Sequence, residues 1–442
     1  MGQKQCALLL VIIMLVSLPA TSIQGKEKSL YNTEDIRKII NKGMCTIEEN
    51  ITILYVNGTH YEMGYQHGFY LKEQVQENLR AFLDYSWYSY EDLLEIWNQM
   101  RPYVPDEYLN EMQGLADGAE VKITDVAAAY MVIVVGDIGG CFGVSTWGSA
   151  TSDGELLHIR SFDQPMDIQD PVTGTFVHEN AVLVLRNPTD GFPSLAPSVA
   201  GSMHGGGGIN SQAIALGQQV CWSNDYTFKG IPALLRVQMV LDHASTLDDA
   251  VQILTENKTL GWNFIVSDGK QKQGVVVEVT GNLAYVGTYD DPTESNKPFW
   301  SMQDMVRRTN FFIDPAISET QRETYNPSGI IPFIKLVQRR DIFFAIWRSY
   351  KAVSEEFQAH HGTLSLENTM TMFQNTYSGG TDPLLKYIIT KAEGTSFNRA
   401  WNMWTSTPFN GDMLVSYAEK EKSAFATDIH GYNLYSLLEQ FQ

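Results

Sequence analysis

Cys141 follows two glycines and opens the run Cys141-Phe142-Gly143-Val144-Ser145-Thr146-Trp147, which alternates before the chain turns at Asp153-Gly154. The pattern predicts the first strand of a hairpin, with the backbone ahead of the cysteine open to close approach. A returning strand from Glu155 to Asp163 carries Arg160 and Asp163 back toward the cysteine end. Cleavage of the Gly140-Cys141 bond would give Cys141 a free α-amino group beside its own thiol. Such an amine titrates near ~7.7–8.0 and a thiol near ~8.5, so the amine serves as base at neutral pH without a histidine. Arg160 then favours the thiolate, and Asp163 holds and orients the ammonium form.

The elements that must deliver this junction are helical ahead of it. Helical periodicity runs from Tyr61 to about Trp87, with Gly64 and Gly68 on a face that packs closely, and recurs at 91–100, 106–117 and 124–135. The last stretch is apolar nearly all round and runs into Gly139-Gly140, so it is expected to be buried. After the hairpin, strands are predicted at 181–186, 213–220, 262–267 and 275–280. Helices are expected at 231–243 and 247–254, the second capped by Ser245 or Thr246. Periodicity alone gives an α+β fold, in one catalytic unit with no linker and no internal repeat. The division expected is a secretory signal at 1–22, a helical N-terminal segment at 23–140, and a catalytic domain at 141–442.

The chain resembles the penicillin acyltransferase-like (isopenicillin-N acyltransferase) family of N-terminal-nucleophile cysteine hydrolases, relatives of choloylglycine hydrolase and acid ceramidase. The resemblance spans about Tyr61 to Arg348. It rests on Glu62-Met63-Gly64-Tyr65-Gln66-His67-Gly68, Gly140-Cys141, Arg160-Ser161-Phe162-Asp163, Gly208-Ile209-Asn210 and Thr309-Asn310-Phe311. Phe142 departs from the small hydroxylic residue that many relatives carry there. The resemblance implies a four-layer αββα sandwich. It also implies that Asn210 stands beside the nucleophile, that Asn310 donates to the oxyanion, and that a second arginine lies on a later helix. Among Arg339, Arg340 and Arg348, all in the amphipathic stretch 331–350, Arg340 is the choice.

The 442 residues, 44% hydrophobic, are ample for a large core, and a net charge of −20 excludes a nucleic-acid partner. Nothing after the signal is apolar and long enough for a stable membrane span. Asn50, Asn57 and Asn257 head Asn-X-Thr glycosylation acceptors. Once Cys6 leaves with the signal three cysteines remain. Cys141 is the one to stay free, and Cys45 and Cys221 either pair or stay as two buried thiols.

Gly205-Gly206-Gly207-Gly208 lacks the following Lys-Ser/Thr of a phosphate cradle and reads as a close backbone approach. Asn263 reads as a strand residue. A rival scheme pairs Cys141 with His158 or His204, but the papain signature is missing. His360-His361 is not metal-ligand spacing, and no cofactor is called for. The expected function is a secreted or lysosome-like amidohydrolase of small N-acyl substrates working through a thioester, its two processed chains staying associated. The alternatives are an acyltransferase using the same thioester, or a non-enzymatic binding glycoprotein that keeps the fold.

Overall fold

The computed structural model describes residues 33–136, 140–202, 206–321, 342–377 and 398–441. The expected signal at 1–22 therefore lies outside the described residues. The chain opens with α1 (Thr33–Ile40), β1 (Met44–Glu48) and β2 (Ile51–Gly58), then runs through α2 (His60–Tyr70), α3 (Lys72–Tyr85), α4 (Tyr90–Met100), α5 (Asp106–Ala119) and α6 (Ile123–Val135). Helix α2 starts at Thr59, whose hydroxyl accepts from Glu62 N while the Glu62 carboxylate accepts from Thr59 N. Ser89 and Asp92 do the same for α4. Such reciprocal caps satisfy donors that a helix cannot satisfy itself. The apolar α6 is buried along most of its length, as its composition requires.

Two sheets follow from the remaining strands. These are β3 (Gly140–Thr146), β4 (Leu157–Pro165), β5 (Ala181–Pro188), β6 (Ser194–Val199), β7 (Gly207–Asn210), β8 (Ile214–Val220), β9 (Trp262–Asp268), β10 (Gln273–Val279), β11 (Ala284–Gly287) and β12 (Met305–Arg308). After the chain resumes come β13 (Asn398–Thr407), β14 (Asp412–Tyr417) and β15 (His430–Asn433). The larger sheet has the order β1-β2-β5-β6-β7-β8-β9-β10-β11 and the smaller β12-β3-β4-β13-β14-β15. All pairings are antiparallel except β2 with β5, where Thr52 faces Val182.

The sheets stack face to face through small residues. A Cβ at Gly143 of β3 would meet Gln219 and Ile265 of the larger sheet, and one at Gly274 of β10 would meet Ser145. Helices α7 (Ala233–His243) and α8 (Leu247–Thr255) cover the outer face of the larger sheet, with Leu234, Leu241 and Leu254 packed among Leu216, Phe264 and Val277. Beyond the short α9 (Pro315–Ser318), helices α10 (Ile342–Ala359) and α11 (Leu366–Tyr377) cover the outer face of the smaller one. There Phe142 and Val144 pack against Tyr350, Val353, Phe357 and Phe373. The result is the four-layer αββα sandwich of an α+β fold.

One expectation changes and one open pairing is decided. The N-terminal segment is not purely helical: β1 and β2 are strands of the larger sheet, and β2 lies between β1 and β5. Cys45 and Cys221 do not pair; Cys45, Cys141 and Cys221 are all free thiols. Cys45 lies on the edge strand β1 and Cys221 just past the end of β8, five strands across the sheet. At about 4.8 Å per strand that is about 24 Å, against the ~7 Å a disulfide tolerates. The side chain of Phe142 is core between the sheet and its helices. Asn50 and Asn257 sit exposed at positive φ, whereas the backbone N–H and carbonyl of Asn57 are bonded by the Gln66 amide. Among the described residues no helix is long and apolar enough to cross a membrane.

Helices α2 and α5 cross through glycines on both sides. A Cβ at Gly64 would stand 2.1 Å from Glu111 O, at Gly68 2.4 Å from Leu115 O, at Gly114 2.1 Å from Tyr61 O, and at Gly118 2.2 Å from Tyr65 O. Alanine is the better helix former by about 1 kcal/mol. Here the opposing atoms are backbone and cannot turn aside, so overpacking wins. Gly114→Ala is expected to destabilise the protein by about 1–3 kcal/mol, read as a lowered denaturant midpoint. An unchanged or raised midpoint would contradict the contact.

Candidate active site

The hairpin forms in the register that residue counting predicts: Gly140 faces Asp163, Cys141 faces Phe162, and Gly143 faces Arg160. Residues opposite one another share a face, so Cys141, Phe162 and Arg160 point together toward the larger sheet. That sheet makes room for the guanidinium, since a Cβ at Gly217 would lie 2.2 Å from Arg160 Cδ. Arg160 Nη2 stands 3.7 Å from Cys141 Sγ and donates to Gln218 O at 2.9 Å, and the guanidinium lies 5.1 Å from the Phe162 ring centre. A Cβ on Gly206 would come within 3.4 Å of Arg160 Nη2, and one on Gly207 within 3.2 Å of its Cδ. The glycine run is therefore a close approach to the arginine; Gly205 and His204 lie outside the described residues.

Both ends of the Cys141 backbone are held. Its N–H donates to Asn310 Oδ1 at 2.8 Å, and its carbonyl accepts from Thr309 Oγ1 at 2.9 Å. Asn310 Nδ2 donates to Val220 O at 2.8 Å, a carbonyl that only accepts, which fixes the orientation of the amide. Asn310 thus presents its oxygen to the nitrogen of Cys141, where the expectation had it donating to an oxyanion. The Asp163 carboxylate closes the other side: a Cβ at Gly140 would lie 3.4 Å from Asp163 Oδ2 and 3.7 Å from Asn310 Oδ1. Arginine, aspartate and asparagine all converge on the Gly140-Cys141 junction.

Burial dominates the electrostatics. It pushes the Cys141 thiol up to about 11; Arg160 pulls it down, Asp163 pushes it further up, and the Asp163 backbone hydrogen bond pulls it down. Burial also raises the Asp163 carboxyl well above the usual carboxylate range, against the Ser161 hydrogen bond and Arg160. The thiol is therefore protonated at neutral pH. His158 does not supply a base beside it. It sits opposite Ser145, four residues along the strand from Cys141 and so about 13 Å away. Its Nδ1 bonds Ser267 Oγ at 2.8 Å, and burial and then Arg160 lower it to about 3.

Asn210 is not brought to this cluster. Its Nδ2 donates to Leu241 O and Ala244 O, and its Oδ1 accepts from Gln212 N and Ile214 N, so its amide is spent on the β7–β8 turn and the end of α7. Arg339 and Arg340 lie outside the described residues. Three contributors went unread in the sequence. Thr309 holds the Cys141 carbonyl, Ser161 Oγ accepts from Phe142 N at 3.1 Å, and Gly217 clears space for Arg160. Thr309 and Ser161 stood inside the quoted motifs, and their hydroxyls next to Asn310 and Arg160 were the available signal. Gly217 gave no signal, because its partner is 57 residues away. Phe162, which faces Cys141 across the hairpin, also lines a small recess together with Phe82, Ile133, Trp401 and the polar Gln164 and Ser198. Among the described residues no group of His, Cys, Asp and Glu could hold a metal ion.

The family model described as acyl-coenzyme A:6-aminopenicillanic acid acyl-transferase matches residues 151–329, which include Arg160, Asp163 and Asn310. This bears out the family resemblance read from the motifs. An uncharacterized protein of Archaeoglobus fulgidus is 28% identical over 313 residues, covering 61% of this chain and 51% of that one. Protein dcd1B of Dictyostelium discoideum is 22% identical over 275 residues, covering 55% and 53%. The chain spans about half the length of these curated relatives. Among solved structures, the N-acylethanolamine-hydrolyzing acid amidase ortholog of Caenorhabditis elegans is 12% identical, with a TM-score of 0.39 over 66% of this chain and 99% of that one. A mutant of the conjugated bile acid hydrolase of Clostridium perfringens is 12% identical, with a TM-score of 0.36 over 67% and 93%.

Proposed function

We propose that the protein is an amidohydrolase of N-acyl substrates whose nucleophile, Cys141, is exposed by cleavage of its own Gly140-Cys141 bond. One observation carries this reading: the nitrogen of Cys141 is held by Asn310 Oδ1 beside the Asp163 carboxylate, while its thiol faces Arg160. In maturation the thiol adds to the Gly140 carbonyl carbon, the peptide C–N bond breaks with the proton passing to nitrogen, and water hydrolyses the resulting thioester. The new amine replaces a neutral amide where two oxygens already wait for a cation. In turnover the amine takes the thiol proton, the thiolate attacks the substrate carbonyl, and the ammonium returns its proton to the departing amine. Water then releases the acid.

A secretory route, a lysosome-like compartment and glycosylation at Asn50, Asn57 and Asn257 belong to the same proposal. So does continued association of the two processed pieces, which is favoured by β2 lying inside the larger sheet. Acyl transfer remains the competing outcome, because the thioester can be taken by an amine, and the matched family is described as acyl-transferases. The test is to incubate purified protein with N-acyl amino acids, N-acylethanolamides and ceramides, with and without an added amine. Release of free acid regardless of the amine supports hydrolysis, and acylated amine as the main product supports transfer. No turnover and no thiol acylation across the panel would favour a binding protein.

A further inference from the structure

We infer that Asn263 is a positioning residue for the reaction proposed above, acting by holding Asn310 against the nitrogen of Cys141. The inference rests on that reading of the site. Strand β12 ends at Arg308, so the buried backbone of 309–311 lies beyond the ladder and needs partners of another kind. Asn263 supplies them: its Nδ2 donates at 2.8 Å to Thr309 O and at 2.8 Å to Phe311 O, the carbonyls on either side of Asn310. One amide group therefore straddles the residue that takes the Cys141 N–H.

The neighbouring strand continues the same device with the opposite sign. Glu278 of β10 pairs with Asn263 of β9, and its carboxylate accepts from Ile313 N at 2.9 Å, Asp314 N at 3.1 Å and Arg308 Nε at 2.7 Å. A donor and an acceptor side by side thus fasten the chain from Arg308 to Asp314 to the larger sheet. Glu278 is also one half of a buried ion pair, and losing it threatens the fold. Asn263 is neutral and fully buried, so it can be altered with less damage. Its removal frees the two carbonyls flanking Asn310 and lets Oδ1 drift from the amine. A displacement of about 1 Å at a catalytic contact costs roughly 10²-fold in rate.

The test compares wild type, Asn263→Ala, Asn310→Ala and the double variant for kcat, KM and the rate of chain cleavage. Asn263→Ala is expected to lower kcat and the cleavage rate about 10–100-fold, with KM changed less than about twofold. Because its effect passes through Asn310, the double variant should be no slower than Asn310→Ala alone. A purely structural role would lower the unfolding midpoint and combine additively. Additive losses, or an unchanged kcat in a folded Asn263→Ala protein, overturn the inference. Should that variant not accumulate, Asn263→Ser, which keeps one donor, carries the same comparison and should lose less. A wild-type chain that stays uncut counts against the reading of the site, whereas an active wild type with an indifferent Asn263 counts against this inference alone.

Discussion

Cys141→Ala is expected to yield a folded, uncut and inactive chain. In the proposed mechanism the thiol is both the group that attacks the Gly140 carbonyl and the group that attacks substrate, so one substitution removes both steps. Loss of a nucleophile that acts with its base as a unit costs about 10⁶ in kcat. The fold should survive, because the side chain removed is small and Arg160 keeps its bond to Gln218 O. Cys141→Ser separates the two steps. A hydroxyl at the same position still reaches the preceding carbonyl, so slow cleavage is expected with turnover further reduced. Intact mass and N-terminal analysis decide the matter: wild type gives a piece beginning at Cys141, and the alanine variant gives none. A fully active wild type with an uncut Gly140-Cys141 bond would end the α-amino mechanism.

The parts of this site that were legible in the sequence are those set by short range. The turn at Asp153-Gly154, where Gly154 has φ +77°, lets the hairpin register be counted off, and counting places Arg160 and Asp163 beside the cysteine. Asn310 was legible as a member of the site through its motif, but its role was not. Which end of an amide faces the nucleophile depends on Val220 O, 90 residues earlier, and no pattern in the chain announces it. Asn210 misled for the converse reason. Its motif matched, yet its amide is consumed by the turn it begins and by α7, a demand that appears only once the helix is docked.

The two strands inside the expected helical N-terminal segment went unread for a similar reason. Ile51-Thr52-Ile53-Leu54-Tyr55-Val56 has the β-branched and aromatic composition of a strand. Its parallel partner begins 130 residues later at Val182, beyond any local pairing signal. In the same way Gly64 and Gly68 were visible as a packing face, but Gly114 and Gly118 acquire meaning only when α5 crosses α2.

The second large effect is expected at Glu111, where the part of the chain before Cys141 is bound to the part after it. Its carboxylate on α5 accepts from Arg186 of β5 through both oxygens, at 2.5 and 2.9 Å, and from His60 Nδ1 of α2 at 2.6 Å. Arg186 also lies 3.6 Å from Asp242 of α7, which accepts from Tyr108 and Gln238. All these groups are buried. Burial works to raise the Glu111 carboxyl, yet Arg186 and then His60 bring it down to about 2. Burial likewise works to lower His60, yet the Glu111 hydrogen bond leaves it raised.

The signs for Glu111 and His60 define a pH window. Glu111, with a depressed folded pKa, contributes stability above the unfolded value near ~4.3 and loses it as pH falls toward about 2. His60, with a raised folded pKa, contributes fully below the unfolded value near ~6.5 and loses it as pH rises through the folded one. Their joint contribution is greatest between about pH 4.3 and 6.5, while Asp242, whose carboxyl burial raises, works against the fold as pH rises above the unfolded value near ~3.9. Glu111→Ala takes the bidentate partner from buried Arg186 and leaves it only Asp242 at 3.6 Å, and breaking such a buried pair costs about 3–5 kcal/mol. The expected result is an unfolding free energy lowered by that amount, read from the denaturant midpoint and slope, and a flatter stability profile between pH 2 and 4. Once the chain is cut, the two pieces should also separate more readily on size exclusion, because Glu111 and Arg186 lie on opposite sides of the cut. A variant within about 1 kcal/mol of wild type, the value of an ordinary exposed ion pair, would show that the sheet and the glycine crossing hold the pieces together without this cluster.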